Sequence, residues 1–297
     1  LEAKESEHEL RINNLPAKPV VSFLREFSAP VKVSHQRDAE ELAFLVEHDT
    51  DGFVRCDAMQ TLWMEHFDTN INATVDPVAT LGGLAKGASA LETPEQQMLA
   101  ATMLAVPNEN YLFEQLRGFD VDALLDARDA AVENAAQAHV QTWEALVAMH
   151  DSGQAYQADA SGMARRALGN TAFSYLAKTQ TGAVLEELLQ TRYARADNLT
   201  DRRTVLAIAC RHTGVSEAFK DSLLEDFYQA WKDYALVIDL WFNLQAQSPL
   251  ITIDGLRALE AHPDFDAKNP NRARSVYAAF GMLNNRKFHQ LDGSGYE

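Results

Sequence analysis

The nine histidines of this 297-residue chain raise the first chemical question, whether any two stand where a metal needs them. A zinc site that activates water uses His-Glu-x-x-His on a helix, which sets both imidazoles on one face with a glutamate base between them. His8-Glu9 is followed by Leu10, Arg11 and Ile12, so that motif is not completed there. Glu47, Asp49, Asp51 and Gly52 imitate the start of a calcium loop, but the twelfth position is Ala58 instead of the bidentate glutamate. Asp51 reads better as a helix cap. Gly82 and Gly87 have phosphate-loop spacing, yet Ala88 stands at the lysine position and no strand pattern precedes them. That stretch reads as a flexible loop. His139 and His150 lie on an apolar stripe with Trp143 between them, and read as core histidines with internal partners. No motif frames a serine nucleophile, Ser294 included. The residues therefore assign no catalytic group and no metal ligand to this chain.

What remains is charge in unusual company. Asp239 interrupts the apolar run from Ala235 to Phe242. A carboxylate held among such neighbours needs a cation or several donors. The candidate cations are Arg272 and Arg274, in the stretch Asn269-Pro270-Asn271-Arg272-Ala273-Arg274-Ser275. Asp239 either faces solvent or pairs with one of these two arginines. Pro270 fits the first turn of a helix, where its missing N–H has no partner to lose. An apolar run from Val276 to Phe280 follows, then a loop in which Gly293 and Gly295 permit turns.

These residues must be positioned by helices. Leu42, Leu45 and Val46 share one face, as do Val54, Met59, Leu62, Trp63 and Phe67 behind the Asp51 cap. Thr93-Pro94-Glu95-Gln96 spells a capping box, and Gly118 closes a separate helix from Tyr111 to Arg117. Val121 to His150 is periodic enough for one long helix, broken in pattern only by Arg128, whose stem can cover apolar surface. Further helices are predicted over 161–178, 182–195, 200–212, 216–231, 234–247 and 253–262. Consecutive amphipathic helices on short turns stack in antiparallel pairs, and their number suggests a curved, HEAT-like superhelix. The predicted fold is all-α, with a short β-rich N-terminal segment. In that segment His8 to Asn13 alternates, as do Val31 and Val33, between Pro16, Pro19 and Pro30.

A formal charge of −17 and a pI near 4.9 argue against a nucleic-acid footprint. No run reaches the length of a membrane span. Cys56 and Cys210 fall inside helical patterns far apart and read as buried free thiols, which fits a reducing cytoplasm.

Several stretches together resemble the C-terminal helical domain of bacterial aminopeptidase N, a family of zinc metallopeptidases. They are FLREFSAPVKV, DGFVRCDAMQTLW, MARRALGNTAFSYL, ARADNLTDR, ALVIDLWFNLQAQSP, NPNRARS and FHQLDGSGY. The resemblance implies that residues 1–33 are the end of a β-sandwich domain with its linker. Residues 34–297 are then the helical domain, incomplete at its C-terminus. It implies a parent enzyme that removes N-terminal amino acids from peptides, with zinc held in a catalytic domain outside this chain. The family's Gly-x-Met-Glu-Asn motif for the substrate amine is missing, since Gly281-Met282-Leu283-Asn284-Asn285 lacks the glutamate. The chain alone is accordingly expected to be inactive and to form the walls of a substrate chamber. Arg274 matches a family arginine facing that chamber, where a guanidinium can bind a peptide carboxylate or carbonyl. Arg272 is the second substrate-binding candidate, and either arginine can instead brace the fold. The implied partners are the catalytic zinc domain and a peptide substrate. The alternative is a free-standing helical scaffold that binds peptides or proteins.

Overall fold

The structure is a computed structural model that describes residues 7, 9, 11–31, 33–35, 37–150 and 155–297. Among these, regular structure is helical throughout. The helices are α1 (Ala39–His48), α2 (Gly52–Phe67), α3 (Pro77–Ala88), α4 (Pro94–Met103), α5 (Glu109–Gln115), α6 (Val121–Ala138), α7 (Val140–His150) and α8 (Ala160–Lys178). They continue with α9 (Gly182–Arg195), α10 (Leu199–Arg211), α11 (Glu217–Trp231), α12 (Ala235–Ala246), α13 (Ile253–Glu260), α14 (Pro270–Ala273), α15 (Ala279–Leu283) and α16 (Asn285–Phe288). None of the described helices is long and apolar enough to cross a membrane.

The β-rich start expected from the alternating residues does not appear among the described ones. His8 and Leu10 lie outside them, and the regular structure before α1 is a single 3-10 turn, Arg25–Phe27. A strand needs a neighbouring strand to satisfy its backbone. Side chains hold this segment instead. Arg25 reaches Asp49 Oδ1 at 2.7 Å and Thr50 Oγ1 at 2.7 Å, and Lys18 reaches Glu41 at 2.6 Å. Asp51 serves both sides of the junction. Its Oδ1 accepts from the Val54 N–H at 2.9 Å as the α2 cap, while Oδ2 accepts from the Glu26 N–H at 2.7 Å.

Local signals are kept where they are strong. Thr93 and Gln96 form the reciprocal capping box at the start of α4. Thr93→Ala is expected to lower stability by about 1 kcal/mol, read as a shift of the urea midpoint at constant slope. An unchanged midpoint would mean the box is cosmetic.

Two expectations are corrected. Residues 77–88 form α3 and not a flexible loop, with Asp76 as its cap. The small residues serve packing: a Cβ on Gly82 would lie 2.1 Å from the His139 ring. The long helix over 121–150 is broken at His139, which takes φ −131° and ψ 28° between α6 and α7. The break has a cause in side chains. His139 turns its ring against Gly82 with Nε2 3.3 Å from the Val78 carbonyl, and Trp143 Nε1 donates to the Ala135 carbonyl at 3.0 Å. A side chain that takes over a freed carbonyl is a common origin of such kinks. Arg128 behaves as its long stem suggests, half-buried with Nε donating to the Pro107 carbonyl at 2.7 Å.

Packing proceeds by neighbours: α1 on α2, α4 and α7 along α8, α9 on α10, and α11 on α12. Two apolar cores result. The first gathers α1–α7 around Trp63, Leu81, Leu112 and Trp143, and takes Leu168, Ala172, Tyr175 and Leu176 from α8. The second gathers α9–α13 with Val276 and Ala279 around Phe227 and Phe242, and takes Phe173 and Ala177 from α8. One helix thus contributes to both.

Candidate functional site

The distinctive chemistry lies where α12 meets the segment from Asp264 to Leu283. Asn269 begins it: its side-chain oxygen accepts from the N–H groups of Asn271 (3.0 Å) and Arg272 (3.4 Å), and Pro270 occupies the first turn. The helix does not run evenly. Between α14 and α15 the backbone widens into a π-helical stretch, Arg274–Ala278. Single π turns inside α-helices are frequent at functional sites, because the extra residue redirects side chains on one face.

The two arginines are handled differently. Arg272 is only 6% exposed and its donors are consumed inside the fold. Nε donates to Asp239 Oδ1 at 2.6 Å, Nη1 to the Asp264 carbonyl, and Nη2 to the Ala235 carbonyl at 3.4 Å. Its guanidinium carbon lies 4.9 Å from the centre of the Phe242 ring. This is the cation that Asp239 required. One side chain ties the start of α12, its middle and the loop before α14. Arg274 is exposed and, among the described residues, its side chain has no hydrogen-bond or ion-pair partner.

Around the pair stands an aromatic wall that the separate sequence motifs did not suggest. Trp241 Nε1 donates to the Leu224 carbonyl at 3.0 Å and its ring lies 5.2 Å from His262. Tyr228 donates to Asp264 Oδ2 at 2.6 Å, a bond that pushes the phenol above its usual range. Tyr277, three residues after Arg274, is half exposed and packs edge-on against Phe265 at 5.7 Å. Its hydroxyl hydrogen-bonds Glu260, which also raises its pKa. No motif singles out Tyr277; its one signal in the sequence is its spacing from Arg274. Tyr296 sits on Phe288 with its hydroxyl 2.5 Å from His289 Nδ1, so it organises its own loop. Asn284, in the variant Gly-Met-Leu-Asn-Asn stretch, donates to the carbonyls of Ala246 (3.2 Å) and Ser248 (2.7 Å).

Among the described residues, no three His, Cys, Asp or Glu side chains come together to hold a metal. His139 has the internal partner expected of a core histidine. His150 differs: its buried Nε2 finds no partner among the described residues, and burial with nearby Arg165 and Arg192 lowers its pKa. Cys210 is buried, with its thiol pushed up to about 12, and Cys56 is half-buried; neither is in a disulfide.

Comparison with known proteins agrees with this architecture. Residues 39–297 match the family described as "Domain of unknown function (DUF3458_C) ARM repeats". The chain is 30% identical over 303 residues to aminopeptidase N of Escherichia coli (strain K12), covering 100% of this chain and 34% of that protein. It is 31% identical over 298 residues to aminopeptidase N of Caulobacter vibrioides, covering 97% of this chain and 33% of the relative. Among solved structures, Legionella pneumophila aminopeptidase A in complex with aspartic acid superposes with a TM-score of 0.80 at 25% identity. That match covers 95% of this chain and 34% of the Legionella chain. The chain spans about a third of the length of the relatives it matches.

Proposed function

The chain belongs to the DUF3458_C family of ARM-repeat domains and is homologous to a C-terminal part of bacterial aminopeptidase N, and from that premise we propose that it walls the substrate chamber of an aminopeptidase. In this reading the parent enzyme removes N-terminal residues from peptides in the cytoplasm. Its zinc and its catalytic groups belong to the part of the polypeptide outside this chain. Residues 1–33 are read as the end of a β-sandwich with its linker, and 34–297 as the helical domain.

The observation that carries the reading is the contrast between the arginines. The Arg274 side chain is exposed and has no partner among the described residues, so its donors stay available to a group outside the fold. On a π-helical stretch beside exposed Tyr277, Arg274 can donate to the carboxylate or a carbonyl on the leaving side of a peptide. Arg272, the other candidate, is already saturated and holds the segment in place.

The test is Arg274→Ala in the full-length enzyme. With tri- and tetrapeptides kcat/KM is expected to fall about tenfold, the worth of a charge-assisted hydrogen bond, mostly through KM. A chromogenic alanyl amide, which has no carboxylate beyond the leaving group, should lose less than about twofold. Equal losses on both substrates, or none on peptides, would remove Arg274 from the chamber. The 297-residue chain by itself is expected to hydrolyse neither substrate, with or without added zinc.

A further inference from the structure

The two apolar cores meet at α8, with Val147 and Leu188 packing at the same junction. Everything before α8 forms one lobe and everything after it another. A second connection joins them through α5 and α6, and it is polar. Arg286 Nη1 donates to Asp126 at 2.8 Å and Nη2 to Asp129 at 3.3 Å, so one guanidinium bridges two carboxylates of α6. Beside it the Asn285 amide donates to Glu109 (2.8 Å) and to Asn110 (3.1 Å) of α5. Asn110 returns a hydrogen bond to the Met282 carbonyl at 2.9 Å. The segment is fixed on its own lobe by Asn284, which is buried against α12.

Beside these connections, charges of the two lobes face one another without pairing. Arg211 and His212 end α10 on the second lobe. Arg211 faces Glu109 and Asp129 of the first lobe, with Arg128 beside them, and its closest hydrogen-bond partner is Gln247 at 3.5 Å. His212 faces Glu133 from the first lobe and Lys178 at the end of α8. Desolvation lowers the pKa of both; His212 is buried, whereas Arg211 keeps an exposed face.

We infer that the chain is a two-lobed clamp: α8 is its hinge, and the Asn285–Arg286 contacts on α5 and α6 are an ionic clasp that holds the lobes together. The apolar side of the joint resists salt. The clasp does not, because its carboxylates are exposed, at 71% for Asp126 and 67% for Asp129. Exposed ion pairs are weak and screened. Release of the clasp leaves the α8 packing intact and lets the facing charges separate.

The clasp is tested by a distance across the gap in the whole chain. Spin labels are placed by Glu114→Cys on α5 and Asp254→Cys on α13, both exposed, with Cys56→Ser and Cys210→Ala as background. At about 20 mM salt a single short distance is expected, and at about 500 mM, where the Debye length falls to a few ångströms, a longer one gains population. Arg286→Ala should raise the long-distance population about fivefold at low salt, and the pair Asp126→Asn with Asp129→Asn should match it from the other lobe. Arg286→Lys, which reaches only one carboxylate, should fall between. The salt series on unaltered clasp residues keeps the test decisive if a variant folds poorly. A distance that ignores both salt and charge removal, in protein of unchanged helical content, overturns the clasp.

Discussion

Replacing Arg272 with alanine should destabilise the chain by about 4 kcal/mol, the scale set by breaking one side of a buried ion pair. The loss has three parts. Asp239, only 15% exposed at its side chain, is left with its charge unmatched. The carbonyls of Asp264 and Ala235 lose their donor. Phe242 loses the guanidinium that covers its ring. Urea unfolding of Asp239→Asn should show a smaller loss, because an amide oxygen still accepts from Nε. The double variant Arg272→Met with Asp239→Leu should recover most of the stability, since a packed apolar pair needs no compensation. A cost below about 1 kcal/mol for Arg272→Ala would place the pair among ordinary surface bridges and leave the brace unexplained.

Gly82→Ala is the second large effect. A methyl there would stand 2.1 Å from His139 Cε1 and Nε2, inside the ring's own contact surface. The ring cannot retreat freely, since it is held near the Val78 carbonyl and lies edge-on to Trp143 at 6.4 Å. The expected cost is about 2 kcal/mol, typical of overpacking a filled site. His139→Ala removes the obstacle, so adding Gly82→Ala to that background should cost less than about 0.5 kcal/mol. Additive losses in the double variant would show that Gly82 is needed for reasons within α3 alone.

These two sites mark what a reader of the sequence can and cannot see. The Asp239–Arg272 pair was legible only as one of two options: an aspartate in an apolar run needs a cation or a route to solvent, and the Asn-Pro-Asn turn offered two arginines without distinguishing them. The Thr93 box was legible because all its parts lie within four residues. The role of Gly82 was not, because the group that requires a glycine is the His139 ring, contributed by a distant part of the chain. The same contact hid the break between α6 and α7: both halves keep helical periodicity, and nothing local announces that Trp143 will bond the Ala135 carbonyl. The π-helical stretch at Arg274 also has no local signature in the sequence. Local chemistry reads well, and chemistry that depends on a distant partner does not.

The position of α8 bears on how the chain comes to be folded during synthesis. Leu168, Ala172, Tyr175 and Leu176 complete the first core, so that core can close once α8 has left the ribosome and before α10 to α16 have been made. Phe173 and Ala177 of the same helix are then already held in place, and they offer a finished apolar edge to the emerging α9 and α10. The second half therefore grows on a template instead of searching for one. The contacts of Arg286 with Asp126 and Asp129 form later still, when residues 284–286 return to a surface of α6 completed long before them.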